Sequence, residues 1–207
     1  MSFLSDWRIV ENNDKLTIES DSISWNNPNN GRGIIESLFT LDGAFDIQID
    51  FSITSIVFNA GLGIEVRKED GSEIFWIQRG YWAKNGYGSG GTLGIDAQIN
   101  HADTPLDSGK LRITRTLSAT APRRMTVYYW SGGVWKYTPY PDGRKFGETA
   151  TVPLYIRLKF KNKLNAVINN FTINSGNIIE SSLLYQINDG GDLYQINDAG
   201  DIYIVGG

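Results

Sequence analysis

From Phe45 to Thr54 the chain alternates without a break. Phe45, Ile47, Ile49, Phe51 and Ile53 fall on one side, and Asp46, Gln48, Asp50, Ser52 and Thr54 on the other. Successive side chains of an extended backbone point to opposite faces, so this pattern specifies a strand with one buried and one wetted face. Leu62, Ile64 and Val66 repeat it with Glu65 and Arg67 facing out; Leu154, Ile156, Leu158 and Phe160 repeat it between Tyr155, Arg157 and Lys159. No stretch sustains a helical period. Further strands are expected over 15–19, 33–39, 74–79, 110–116, 125–130, 134–138 and 165–174.

The connections fit the same reading. Lys68-Glu69-Asp70-Gly71 and Ser131-Gly132-Gly133 each join two strand patterns as hairpin turns, and Leu41-Asp42-Gly43 reads as another tight connection. The Gly-, Asn- and Asp-rich stretch 80–107 reads as surface loops. Many short strands with glycine-rich turns imply an all-β, antiparallel jelly-roll β-sandwich. The alternating body ends near SGNIIE, so a sandwich over 1–177 and a short β-repeat tail over 178–207 are expected.

Composition narrows the function classes. The 207 residues contain no cysteine, so no disulfide framework supports the fold. A net charge of -4 gives no global reason to bind nucleic acid. The local basic stretches, Arg123-Arg124 and 157–163, read as solvated strand faces and turns. No segment approaches the roughly 20 apolar residues of a membrane helix, so no membrane insertion is expected. The start, MSFLSDWRIVENNDK, lacks the basic and apolar regions of a signal peptide, which predicts synthesis in the cytoplasm without export by that route.

The succession GRGIIES, FDIQIDFSI, GLGIEVRKEDGSEIFWIQRG, GKLRITRT, MTVYYWSGGVWK and VPLYIRLKF resembles a concanavalin A-like lectin/glucanase (LamG-like) jelly roll over roughly residues 5–174. The resemblance implies sugar rings stacked on aromatic faces, with amides and carboxylates taking the hydroxyls. Trp76, Trp82, Tyr87, Trp130, Trp135 and Tyr137 are the nearby aromatics, most of them expected in the core. Trp82 and Tyr87, beside Asn85, Gly86 and Gly88 in a stretch read as loop, are the expected carbohydrate contacts, with Asn85, Asp96 and Gln98 as polar partners.

Catalytic chemistry is poorly supplied. Asp46 and Asp50 share a strand face, and laminarinase-like glucanases carry a Glu-x-Asp-x-Glu array on one strand. Here both outer acids are the shorter Asp, the centre is Gln48, and the two carboxylates start about 13 Å apart along the strand. Retaining hydrolysis needs carboxyls about 5–5.5 Å apart. A hydrolase using Asp46 and Asp50 is the enzyme alternative; a non-catalytic protein is the expectation. The one histidine, His101, lacks partners for a zinc site, and Gly61-Leu62-Gly63 and the 88–94 run lack the context of a phosphate loop.

The tail repeats itself: LYQINDGGD over 184–192, LYQINDAGD over 193–201, then IYIVGG. Its nine-residue period matches that of calcium-binding β-rolls. Aligning Asp192 and Asp201 on that motif's aspartate, however, puts Ile196-Asn197 and Ala199 where glycines belong. No cofactor is therefore expected, with calcium as the lesser possibility and no assigned metal ligands. The unit reads instead as short strands and Asx turns too small to satisfy themselves. Leu184, Tyr185, Ile187, Leu193, Tyr194, Ile196, Ile202 and Tyr203 are expected to bury themselves between chains, as a homo-oligomer, in the manner of a trimeric viral fibre. The resulting expectation is a non-catalytic phage virion-surface protein (a head-fibre, decoration or tail-associated adhesin) that meets other virion proteins and a glycan or host cell surface. A ligand-free capsid-cementing protein is the structural alternative.

Overall fold

The computed structural model describes residues 3, 5–11, 14–70, 73–81, 85–91, 97–100, 108–116, 124–137, 152–180, 184–186, 193–196 and 202–206, and every regular element among them is a strand. Two antiparallel layers share one long strand, β4 (Arg32–Ile56). The front layer runs β1 (Trp7–Glu11), the first half of β4, β12 (Leu154–Lys161), β5 (Gly61–Arg67), β6 (Glu73–Tyr81), β7 (Asn85–Gly91) and β8 (Ala97–Asn100). The back layer runs β2 (Leu16–Ile18), β3 (Ile23–Asn27), β13 (Leu164–Glu180), the second half of β4, β9 (Ser108–Thr116), β10 (Arg124–Ser131) and β11 (Val134–Tyr137).

The alternating residues meet as the sequence requires. Ile47, Ile49, Leu111, Ile113 and Val127 of the back layer join Leu62, Ile64, Ile77, Ile156 and Leu158 of the front layer in a single core. Each such side chain contributes about 1.5–3 kcal/mol on leaving water. Trp25 and Phe160 stack across the layers at 6.1 Å. Gly33 lies under that indole, where an added Cβ would come 2.6 Å from Trp25 Cζ3.

The expected turn at Leu41-Asp42-Gly43 is instead a corner inside β4, where the strand leaves one layer for the other. Gly43 supplies the left-handed φ of 63°, and its N–H donates to Asp42 Oδ1 at 2.7 Å. Buried Arg115 clamps the corner. Its guanidinium lies over Phe45 at 4.8 Å and donates to the carbonyls of Gly43, Leu41 (3.2 Å) and Val152 (2.9 Å). Burial pushes this guanidinium down to about 10, against the pull of Asp42.

Three expectations change. β1 and β3 escape a periodic reading because each is five residues long, and β1 buries only Trp7. β7 and β8 lie inside the stretch read as loops. β13 continues to Glu180, pairing with β4 from Asn177↔Asp42 to Glu180↔Phe39, so the boundary placed at 177 falls within a strand.

The repeats form a separate antiparallel sheet of β14 (Leu184–Gln186), β15 (Leu193–Ile196) and β16 (Ile202–Gly206). Tyr185↔Tyr194, Tyr194↔Ile204 and Ile196↔Ile202 stand opposite each other, which gives one face positions occupied only by Tyr and Ile. Leu184, Leu193 and Tyr203 take the other face with Gln186 and Gln195. Ile187 lies outside the described residues.

Candidate functional site

A single row of residues crosses five strands on the outward face of the front layer. The register pairs Arg8 with Glu36, Glu36 with Arg157, Arg157 with Glu65, and Glu65 with Trp76. Positive and negative side chains therefore alternate at the interstrand spacing of about 4.8 Å and end on an indole. Glu36, nearly buried, accepts from Arg157 Nε at 2.6 Å and from Arg8. Burial alone would raise its pKa, but the hydrogen bonds from Arg8 and Arg157 more than offset that and hold it below the ordinary carboxylate value. Glu65, 0% exposed, meets Lys159 Nζ and Arg67 Nη1, the latter at 3.4 Å. No free carboxylate pair is left in this row.

Beyond Glu65 the face is nearly stripped of side chains. The rows Gly63–Gln78–Gly88 and Gly61–Gly80–Gly86 cross β5, β6 and β7, and Trp76 stands opposite Gly90. Trp76 and Gln78, both half-buried, thus rise from a glycine floor. The layer demands glycine at Gly63, where a Cβ would sit 2.5 Å from the carbonyl oxygen of Ile77.

The outward face of the back layer carries a second polar cluster. Arg112 grips Asp46 with two hydrogen bonds of 2.7 and 2.5 Å and lies over the rings of Tyr128 (5.3 Å) and Trp135 (5.5 Å). Trp135 meets Trp130 edge-on at 5.2 Å. Asp50 accepts from Lys110 at 3.0 Å and from Gln48 at 2.6 Å. Asp46 and Asp50 therefore sit in separate cross-strand ion pairs and do not converge, as their shared strand implies.

Of the expected carbohydrate contacts, those among the described residues lie on strands β7 and β8 rather than in a loop. Tyr87 is corrected outright: it is a core residue of β7, 1% exposed, stacked on Tyr129 at 4.3 Å with Arg79 5.6 Å from its ring. Burial raises its phenol pKa, with Arg79 opposing. Asn85 stands at the start of β7 opposite Tyr81, whereas Gln98 on β8 stands opposite Gly88, at the edge of the glycine floor. Trp82 and Asp96 lie outside the described residues. Of the mid-chain aromatics expected mostly in the core, Tyr87 is core, whereas Trp76, Trp130 and Trp135 are half-buried on outward faces; Trp7 and Trp25 fill the interior. Among the described residues no group of three His, Cys, Asp or Glu side chains stands as a metal-ion set. The tail residues weighed for calcium, Asp192 and Asp201, lie outside them.

No protein-family model and no curated protein matches the chain. Solved structures do match. A legume lectin-like domain from Entamoeba histolytica superposes with a TM-score of 0.56 at 9% identity, over 83% of this chain and 91% of that one. The VIP36 exoplasmic/lumenal domain, in its Ca2+/Man3GlcNAc-bound form, gives 0.54 at 9% identity, over 90% and 88%. A bifunctional GH43-CE protein of Bacteroides eggerthii gives 0.60 at 9% identity, over 82% of this chain and 24% of the other. The fold is an antiparallel jelly roll like that of these lectin-like domains.

Proposed function

We propose that the chain is a non-catalytic glycan-binding protein whose sugar lies across the outward face of the front layer. One observation carries this reading: half-buried Trp76 and Gln78 stand side by side on β6, flanked on β5 and β7 by glycines at Gly63, Gly88 and Gly90. An indole offers the apolar face of a sugar ring a stacking surface. The amide serves the hydroxyls, and a floor without side chains lets a flat polymer approach the backbone. The lectin-like neighbours are consistent with it, VIP36 having been solved with Man3GlcNAc.

Absence of catalysis is part of the proposal. Glu36, Glu65, Asp46 and Asp50 are each held by Lys or Arg, which leaves no two of them as a free acid and nucleophile pair. Display on a virion surface through the C-terminal repeats, as a phage adhesin among other virion proteins, completes the proposal; its support is the repeat itself. The test is titration of glycans into the purified chain and into Trp76→Ala and Gln78→Ala. Loss of affinity in Trp76→Ala with little change in melting temperature supports the site; full affinity in both variants removes it.

A further inference from the structure

The charges of the front layer are balanced at one end of the site and unbalanced at the other. Around Glu36 a carboxylate separates Arg8 from Arg157. Four residues along β12, Lys161 stands directly opposite Arg32 on β4. Like charges in that relation destabilise a sheet. Both side chains are exposed, and neither has an ion pair among the described residues. Lys159 shares their face two positions back on β12. Burial and then Arg32 push its ammonium down to about 8, and its Nζ meets Glu65. Glu65 also meets Arg67. The surplus is local rather than a general background, because the whole chain carries a net charge of -4.

The place of this surplus gives it a use. Lys161 stands opposite Gly61 on its other side, and the row continues through Gly80 and Gly86, so no longer side chain intervenes between the cations and the floor beside Trp76. We propose that Arg32, Lys159 and Lys161 receive the carboxylate or sulfate groups of an acidic glycan, which makes the front face selective for anionic over neutral polysaccharide. This inference rests on the reading of that face as the glycan site. A guanidinium and two ammonium groups suit it, Arg engaging two anion oxygens at once and Lys acting as a point charge.

The test compares four probes by affinity electrophoresis and calorimetry on the full chain: a polyuronate, a sulfated galactan, a neutral glucan and single-stranded DNA. Binding of the polyuronate or the galactan, but not the glucan, is expected, weakening as salt rises. The double variant R32S/K161S should lose roughly tenfold in affinity for the acidic probe with a melting temperature no lower than wild type, since both positions are exposed and their mutual repulsion is removed. Which acidic probe binds distinguishes carboxylate from sulfate. Equal affinity for the neutral glucan, salt-independent binding, or an unaffected double variant would overturn anion selectivity and leave the front-face site standing. If the acidic probe binds Trp76→Ala as tightly as wild type, or if only DNA binds, the glycan site itself falls and the inference with it.

Discussion

Arg157 donates to Glu36 across the β4–β12 ladder at 2.6 Å. The pair anchors the charged row on which the proposed site is built, and it links the fold to pH. The folded pKa of Glu36 lies below the ordinary value of 4.5, so in acid the folded chain binds fewer protons than the unfolded one. The stability contributed by this group is complete above about pH 4.5 and drains away as pH falls through the lower folded value. Glu36→Gln should therefore cost about 2–3 kcal/mol at pH 7, because two arginines lose a shared, nearly buried partner. It should cost less at an acid pH below that folded value. Urea unfolding at the two pH values measures the difference; an equal loss at both would show that Glu36 acts through packing rather than charge.

Tyr87 should behave as a core residue. Its ring is enclosed by Tyr129 and Arg79, so Tyr87→Ala is expected to cost about 3–5 kcal/mol. A loss under about 1 kcal/mol, together with lost glycan affinity, would return Tyr87 to the binding surface. Thermal unfolding and glycan titration of the same variant decide between the two roles.

The misplacement of Tyr87 shows where sequence reasoning reaches its limit. Alternation over 45–53 and 154–160 was legible because one buried and one wetted face leave a period-2 trace. β7 leaves none: its outward positions are Gly86, Gly88 and Gly90, and glycine writes the same letters in a loop as in a stripped strand face. Trp76 and Gln78 were visible as members of an alternating segment, but their glycine surroundings come from β5 and β7. The row Arg8–Glu36–Arg157–Glu65–Trp76 joins residues far apart in the chain, and only interstrand register puts them in line. The corner at Gly43 could not be told from a turn, since both need glycine with positive φ. What distinguishes them is the Arg115 clamp, which is reached only through the fold.

Gly63→Ala should destabilise the front layer without touching any charged group. The new methyl would lie 2.5 Å from Ile77 O and 2.7 Å from Gln78 Cβ, so β5 and β6 must separate. A cost of about 1–3 kcal/mol is expected, with reduced glycan affinity because Gln78 is displaced. A variant as stable as wild type would mean that the β5–β6 spacing yields freely at this point.

The back-layer acids should prove dispensable for any chemistry. Asp50 and Lys110 are partly exposed, with side-chain accessibilities of 28% and 38%, and such a pair is worth about 0–1 kcal/mol. Asp50→Asn should shift the unfolding midpoint only slightly. Neither it nor wild type should release reducing sugar from β-glucans or from capsular polysaccharide. Release by wild type that Asp50→Asn abolishes would establish the hydrolase alternative.

The repeat's three strands of three to five residues are too little for an independent sheet in water, yet one face of this sheet bears only Tyr185, Tyr194, Ile196, Ile202 and Ile204. Such a face needs a cover, and copies of the same sheet around a shared axis would supply one while leaving Gln186 and Gln195 on the opposite face. Truncation after Ser182 keeps all of β13 and its pairing with β4, so the sandwich should stay folded with an unchanged core. Light scattering should then report a monomer for the truncated chain and a multiple of that mass, three by the fibre reading, for the full chain. A truncated chain with the same mass as full length would move the assembly contact to the sandwich, and a full-length monomer would turn the Tyr and Ile face toward a different protein.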